Sequence, residues 1–122
     1  KNAIMAIYLN KNKYDNSNIE LKNSKKIYYH KEGNLKKLNY IDYGVTYLHK
    51  GLFKKYKDKK IFDLKDFYVD ISKNNQLKGY KVKKRFYEIG SYKGIKDLRK
   101  FLKVKWNLLK VILIIWHSRW EI

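Results

Sequence analysis

From residue 40 onward, segments with the pattern of β-strands alternate with segments that have helical spacing. The strand candidates are residues 40–48, 79–82 and 85–89, and the helix candidates lie near residues 50–57, after Asp63 and after Ser91. Such an alternation is typical of an α/β fold in which at least some strands pair in parallel. We therefore predict a mixed sheet with flanking helices.

The segment before residue 40 adds strands but no helix. Residues 3–9 form a continuous apolar run, which predicts a strand covered on both faces. Residues 19–21 and 26–29 read as two short strands joined by a polar turn, and so as a hairpin beside the main sheet. No internal repeat interrupts this order.

The sequence predicts both ends of the helix that follows Asp63. Asp63 is a candidate N-cap, and the apolar residues that follow have the i, i+3, i+4, i+7 spacing of one buried face; they are Leu64, Phe67, Tyr68 and Ile71. Asn74 and Asn75 are a plausible end. Ser91 is the corresponding N-cap candidate for a helix with Ile95, Leu98 and Leu102 on one face.

The formal net charge is +19, which invites a nucleic-acid interpretation. Arginine accounts for only three of the 30 basic residues, which leaves 27 lysines. Proline is absent and alanine rare, while Lys, Asn, Ile and Tyr are abundant. Lys, Asn, Ile and Tyr have A/T-rich codons, so the base composition of the gene explains this pattern without any ligand. Proteins that bind guanine bases or phosphates also favour Arg, which is scarce here. We expect no nucleic-acid partner, and a lysine-rich binding module stays the alternative.

The composition changes after about residue 103. All three tryptophans follow that point, and residues 108–116 are the most apolar stretch of the chain, interrupted by Lys110. This stretch is far shorter than the ~20 residues of a membrane-spanning helix. A buried strand, a terminal helix and a membrane-surface anchor all remain possible interpretations. We treat 1–103 and 104–122 as separate segments and expect no membrane partner.

Candidate ligand groups lie where strand patterns end or are interrupted. Glu88 precedes a predicted helix N-terminus, where a carboxylate suits either a divalent cation or the helix dipole. Asp42 and Gly44 fall inside an otherwise apolar strand, and a glycine there often marks close approach of a ligand or backbone. Lys31 follows a strand and could meet a phosphate, or it could be a solvated lysine. His30, His49 and His117 lack metal-ligand spacing, and no phosphate-binding glycine loop is present.

Several of these segments together resemble bacterial sugar-1-phosphate nucleotidyltransferases, most closely the mannose-1-phosphate and heptose-1-phosphate guanylyltransferase group. The similar segments are Tyr40-Ile41-Asp42-Tyr43-Gly44, Phe62-Asp63-Leu64, Gly79-Tyr80-Lys81-Val82 and Arg85-Phe86-Tyr87-Glu88-Ile89-Gly90-Ser91, with residues 16–20 and 28–31 at matching intervals. The likeness covers about residues 3–102 in order.

The resemblance implies a Rossmann-like, GT-A-like domain that joins a nucleoside triphosphate, GTP in the closest group, to a sugar 1-phosphate and releases pyrophosphate. It implies that Glu88 is one of two Mg²⁺ ligands. It implies that Asp42, Tyr43 and Gly44 line the sugar pocket, that Asn18 contacts the sugar and that Lys31 reaches its phosphate. The absence of cysteine and of a visible signal peptide leans towards a cytoplasmic protein.

The chain also departs from that family. The glycine-rich triphosphate loop, the second metal-binding Asp and the base-recognition residues belong to an N-terminal half that this sequence does not contain. The first residue is Lys1 and not Met, which fits a fragment. We therefore expect the chain alone to be inactive, either as a remnant or as the partner of a separate N-terminal half.

Overall fold

The computed structural model describes residues 1–32, 38–59, 61–87 and 89–117, with side chains described as far as residue 107. The chain divides into two compact units, Lys1–Arg85 and Phe86–Ile122. The first unit holds every described strand and the second holds one long helix.

The first unit is built on a five-stranded mixed sheet with the order β3-β2-β4-β1-β5. Its strands are β1 (Ala3–Leu9), β2 (Ile19–Leu21), β3 (Ile27–Tyr29), β4 (Tyr40–Leu48) and β5 (Leu77–Val82). β1 pairs in parallel with β5 and antiparallel with β4, and β2 is antiparallel to both β3 and β4. The prediction of a mixed α/β fold with some parallel pairing is confirmed.

Two helical segments follow β4 in the first unit. A 3₁₀ helix spans Lys50–Tyr56, and α1 spans Leu64–Lys73. The Asp63 side chain accepts the Lys65 backbone N–H at 2.7 Å, so Asp63 is the N-cap that the sequence predicts. At the other end Asn75 has a φ of 55°, a left-handed conformation that ends the helix.

The core lies between one face of the sheet and α1. Met5, Ile7, Phe67 and Leu77 are fully or almost fully buried. Phe53 of the 3₁₀ helix stacks on Phe67 at 4.9 Å between ring centroids and 4° between planes. Aromatic packing of this kind adds to the burial of apolar area and holds the 3₁₀ helix against α1.

The prediction that β1 is covered on both faces is wrong. Its residues alternate, with Ala3, Met5 and Ile7 buried while Ile4 is 45% exposed. The buried set faces the core that contains α1, and the alternate set faces away from it. Ala6 and Tyr8 of that second set are half-buried, so the second face is covered only in part, and a continuous apolar run does not show how fully each face is covered.

β4 carries a bulge at the residues that follow Asp42. Met5 pairs with Thr46 and Ile7 pairs with Asp42, so three residues of β4 lie opposite Ala6 alone. The middle one, Gly44, has a φ of 83°. Glycine adopts this conformation without the steric cost that a side chain brings. The glycine that the sequence marks as unusual is therefore the centre of the bulge.

The second unit contains α2, which spans Tyr92–His117 and continues past the composition change near residue 103. The Ser91 Oγ accepts the Gly94 N–H at 3.0 Å, as expected of an N-cap. On the predicted face, Ile95 and Leu98 are half-buried but Leu102 is 52% exposed. The extended segment predicted at residues 85–89 is not a strand over its described residues 85–87. Among the described residues, no helix combines the length and apolarity that crossing a bilayer requires.

Candidate functional site

Asn18 and Asp42 meet at the edge of β4. The Asn18 backbone N–H donates to the Tyr40 carbonyl at 3.1 Å, and its side-chain Oδ1 accepts the Asp42 backbone N–H at 3.0 Å. Only one residue pair, Ile19 with Tyr40, joins β2 to β4 in the ladder. The Asn18 side chain therefore extends the pairing of β4 by one hydrogen bond beyond the end of β2.

Asp42 in turn holds the bulge. Its Oδ1 accepts the Gly44 backbone N–H at 2.8 Å. Burial raises the pKa of the Asp42 carboxyl above its ordinary value of 3.8, and the Gly44 N–H opposes that rise by stabilising the carboxylate. A half-buried acid thus lies beside a glycine at which an added Cβ would meet no heavy atom within 4 Å.

Tyr29 of β3 lies close to this acid, although the sequence does not single it out. Its side chain is buried, with 4% of the residue exposed. Burial raises the pKa of the Tyr29 hydroxyl first, and the nearby charge of Asp42 raises it further, while a hydrogen bond with Asn18 lowers it. The negative charge of Asp63, the N-cap of α1, also raises the pKa of this hydroxyl. The Tyr29 hydroxyl therefore interacts both with the Asn18–Asp42 pair and with the cap of α1.

Lys31 is placed at that helix start. Its Nζ lies 2.7 Å from the Asp66 Oδ1 and 3.1 Å from the Asp63 Oδ2. Hydrogen bonds to Asp66 and Asp63 raise the pKa of the Lys31 ammonium. The described contacts of Lys31 are with these two carboxylates, and the structure does not bring Lys31 into contact with Asn18 or Asp42.

Two predicted site residues remain, Tyr43 and Glu88. Tyr43 is half-buried within the β4 bulge, next to Asp42 in sequence. Glu88, the predicted Mg²⁺ ligand, lies outside the described residues. In the described part of the chain no group of three or more His, Cys, Asp or Glu side chains is arranged to hold a metal ion.

The described residues of this region supply groups that suit ligand binding. Asn18 and Asp42 supply amide and carboxylate groups, which hydrogen-bond well to hydroxyl groups. Lys31 supplies a cation at the surface, 39% of its side chain being exposed. The described residues of this region contain no pairing of nucleophile and base. The arrangement suits a polyhydroxylated ligand with a negative charge nearby.

No known protein family matches the chain. No curated protein is significantly similar to it. The functional conclusion therefore depends on the segments described above and on their geometry.

Proposed function

We propose that this chain is the sugar-binding, C-terminal part of a sugar-1-phosphate nucleotidyltransferase domain with a Rossmann-like, GT-A-like sheet. One observation carries the proposal. Asn18 and Asp42, which the resemblance assigns to the sugar pocket from sequence segments 24 residues apart, are joined by a hydrogen bond. Gly44, assigned to the same pocket, is held by Asp42 at 2.8 Å.

Each group in this cluster has a role that suits a sugar phosphate. The Asn18 amide and the Asp42 carboxylate would hold sugar hydroxyls, and Gly44 would let the ligand approach the backbone, since no side chain fills that space. The Lys31 ammonium would meet the phosphate. To do so it must leave Asp63 and Asp66, or bind the phosphate in addition to them.

Mg²⁺ belongs to this proposal only through Glu88. In such sites Mg²⁺ is bound by one or two carboxylates together with substrate phosphates, so Glu88 would not hold the ion without the triphosphate. The described residues add no metal-binding cluster. The metal and the triphosphate would thus be held mainly by residues of an N-terminal half, and we derive no reaction step through the ion.

Ligand binding by the chain tests the proposal directly. Titration with mannose 1-phosphate, followed through the backbone amide resonances, should shift the Asn18, Asp42 and Gly44 signals. Mannose alone should shift them less, because the charge-assisted hydrogen bond of Lys31 is then lost. A heptose 1-phosphate tests the other sugar of the same group.

A pair of matched variants separates the sugar-phosphate site from general lysine effects. Lys31→Gln should weaken mannose 1-phosphate binding by about tenfold, as expected for loss of a charge-assisted hydrogen bond. Lys55→Gln removes a lysine that also pairs with a carboxylate of α1, Asp70, and should leave binding unchanged. The proposal fails if sugar 1-phosphates leave the three amides unmoved, or if both variants lose affinity equally.

A second function has one observation in its favour. A surface hollow of about 430 Å³ is lined in part by Lys22, Lys26 and Lys73. Three lysines around one hollow could hold phosphates of a nucleic acid. Binding would then weaken steeply with salt, and Lys26→Gln with Lys73→Gln would reduce that dependence. Lys22 lies 2.7 Å from Glu20 and, like Lys31, would have to leave its carboxylate or bind the phosphate in addition to it.

A further inference from the structure

The exposed apolar surface of α2 sets this helix apart. Leu102 is 52% exposed, Val104 60% and Trp106 64%. The helix then runs on to His117 through the most apolar stretch of the sequence. Leu102 and Trp106, four residues apart, lie on one face of the helix, and exposed apolar side chains next to each other mark a surface for another body.

The same helix is strongly basic. Between residues 92 and 107 it has six basic side chains and one acidic side chain, Asp97; the basic ones are Lys93, Lys96, Arg99, Lys100, Lys103 and Lys105. Four of the six follow the i, i+3, i+4, i+7 spacing of one face, from Lys96 to Lys103. With the apolar residues at 95, 98, 102 and 106, the helix is amphipathic and its polar face is cationic.

The two kinds of side chain meet in a groove of about 560 Å³. It is lined by Arg99, Leu102, Lys103, Lys105, Trp106 and Asn107. Tryptophan and leucine beside lysine and arginine are typical of helices that lie in a membrane interface, where the rings enter the acyl boundary and the cations meet the headgroups.

We propose that α2 docks on the surface of an anionic phospholipid bilayer and lies in the plane of the interface. The attraction is electrostatic through the cationic face and hydrophobic through the apolar face around Trp106. The helix would lie on the bilayer and not cross it, since its basic side chains recur at every turn from Lys93 to Lys105. This partner goes against our expectation from the sequence of no membrane contact.

Lys105 favours a lipid surface over a second copy of the chain. It lies at the edge of the apolar face, three residues after Leu102, and its Nζ lies 5.2 Å from the centre of the Phe101 ring. At a bilayer surface, a lysine can lay its apolar stem along the lipid and extend its ammonium group to the headgroups. A helix–helix seam that covered this edge would have to bury the same charge, at a large cost unless an acidic side chain paired with it.

Sedimentation with vesicles tests the proposal. The whole chain should bind vesicles of phosphatidylcholine containing phosphatidylglycerol and should bind vesicles of phosphatidylcholine alone far more weakly. Raising the salt concentration should release the chain from the vesicles, because the Debye screening length falls from about 10 Å at 0.1 M to about 3 Å at 1 M ionic strength.

Charge variants locate the binding surface. Lys100→Gln with Lys103→Gln should lower binding to the anionic vesicles roughly 25-fold, at about fivefold for each cation lost. Lys54→Gln with Lys57→Gln removes two exposed lysines from the first unit and is the matched control, expected to bind as the unaltered chain does. Circular dichroism should show equal folding of both variants.

Trp106 gives a second, independent readout. In a chain with Trp116→Phe and Trp120→Phe, the emission of Trp106 should move to shorter wavelength when anionic vesicles are added. The proposal is overturned if the chain does not bind these vesicles, if the two lysine pairs lose binding equally, or if Trp106 emission shifts only with protein concentration, which would indicate a second copy as the partner.

Discussion

The Oδ1 of Asn18 accepts the backbone N–H of Asp42 at 3.0 Å, so a side chain takes the place of a neighbouring strand at this point of β4. Asp42 repeats the arrangement two residues on, where its own Oδ1 accepts the Gly44 N–H. Two backbone donors of β4, those of Asp42 and Gly44, are therefore satisfied by side chains. The edge keeps its hydrogen bonds while β4 departs from regular pairing.

Removing the Asn18 side chain tests how much this contact contributes. Asn18→Ala leaves the partly buried Asp42 N–H without its acceptor and should lower the free energy of unfolding by about 1–2 kcal/mol. Urea denaturation measures the change. Asn16→Ala, at an exposed position two residues earlier, is the control and should stay within about 0.5 kcal/mol of the unaltered chain. Equal losses would show that the Asn18–Asp42 bond does not stabilise the fold.

Gly44→Ala and Gly79→Ala should destabilise the protein for different reasons. At Gly44 there is room for a methyl group but φ is 83°, so the cost is backbone strain of about 1–2 kcal/mol. At Gly79 an added Cβ would lie 2.8 Å from the Ile7 Cδ1 and 2.8 Å from the Ile27 Cγ2, so the cost is overpacking of about 1–3 kcal/mol.

A second substitution separates strain at Gly44 from overpacking at Gly79. Ile7→Val removes the Cδ1 atom that the new methyl group at residue 79 would meet. In double-mutant cycles measured by thermal denaturation, Ile7→Val should recover part of the loss caused by Gly79→Ala and none of the loss caused by Gly44→Ala. Coupling between Ile7 and Gly44 of the same size would contradict this explanation.

Asp42 should make the unfolding free energy depend on pH in an unusual direction. Its pKa in the folded chain lies above 3.8 because the carboxyl is desolvated. The folded state therefore binds the proton more tightly than the unfolded state does, and stability falls as pH rises from about 3.8 through the raised folded pKa.

Asp42→Asn isolates this contribution, because the amide oxygen can still accept the Gly44 N–H while it does not titrate. The other carboxyls titrate in both proteins, so the difference between their unfolding free energies reports Asp42 alone. That difference should shift in favour of the Asn variant as the pH increases through the window. A difference that is constant across it would show that burial does not perturb Asp42.

The Asp63 cap should matter more through its hydrogen bond than through its charge. Asp63→Asn keeps an oxygen to accept the Lys65 N–H, whereas Asp63→Ala removes it. Both variants lose the ion pair with Lys31, which is exposed and of small value. The melting temperature should therefore fall more for the Ala variant. Equal falls would mean that the ion pair, and not the cap, is what stabilises α1.

The chain alone should not release pyrophosphate from GTP and mannose 1-phosphate or a heptose 1-phosphate. It has no glycine-rich phosphate loop, and its described residues contain no metal cluster. A coupled assay for pyrophosphate checks this. Turnover by the chain alone would refute the expectation of inactivity, whereas activity that appears only with an added N-terminal half would support the proposed function.

Local features of this protein could be predicted, and contacts between distant segments could not. The bounds of β4 and the cap of α1 can be predicted from the local sequence, because β-branched and aromatic runs favour strands and Asp favours N-caps. Asn18 and Asp42 were both predicted as sugar-contacting residues through the resemblance. Their hydrogen bond was not predicted, because it depends on how far β2 pairs along β4.

The contacts of Lys31 and Tyr29 are also contacts between segments that are distant in the sequence. The carboxylates that hold Lys31 are 32 and 35 residues away in sequence, at the start of α1. Tyr29 is one of 12 tyrosines, and only the packing of β3 against α1 brings its hydroxyl near Asp42 and Asp63. Neither the ion pairs of Lys31 nor the surroundings of the Tyr29 hydroxyl can be predicted from the neighbouring residues in the sequence, because both depend on the fold.

The bulge in β4 adds two residues, an even number, and this parity has a consequence for changes in chain length. Because side chains alternate along a strand, Asp42 before the bulge and Thr46 after it point to the same side of the sheet. Deleting one residue would reverse that orientation for half of β4 and turn Leu48 away from the core. Deleting Tyr43 and Gly44 together would leave an ordinary strand, so the proposed sugar-binding segment could be removed while the sheet that carries it stayed intact.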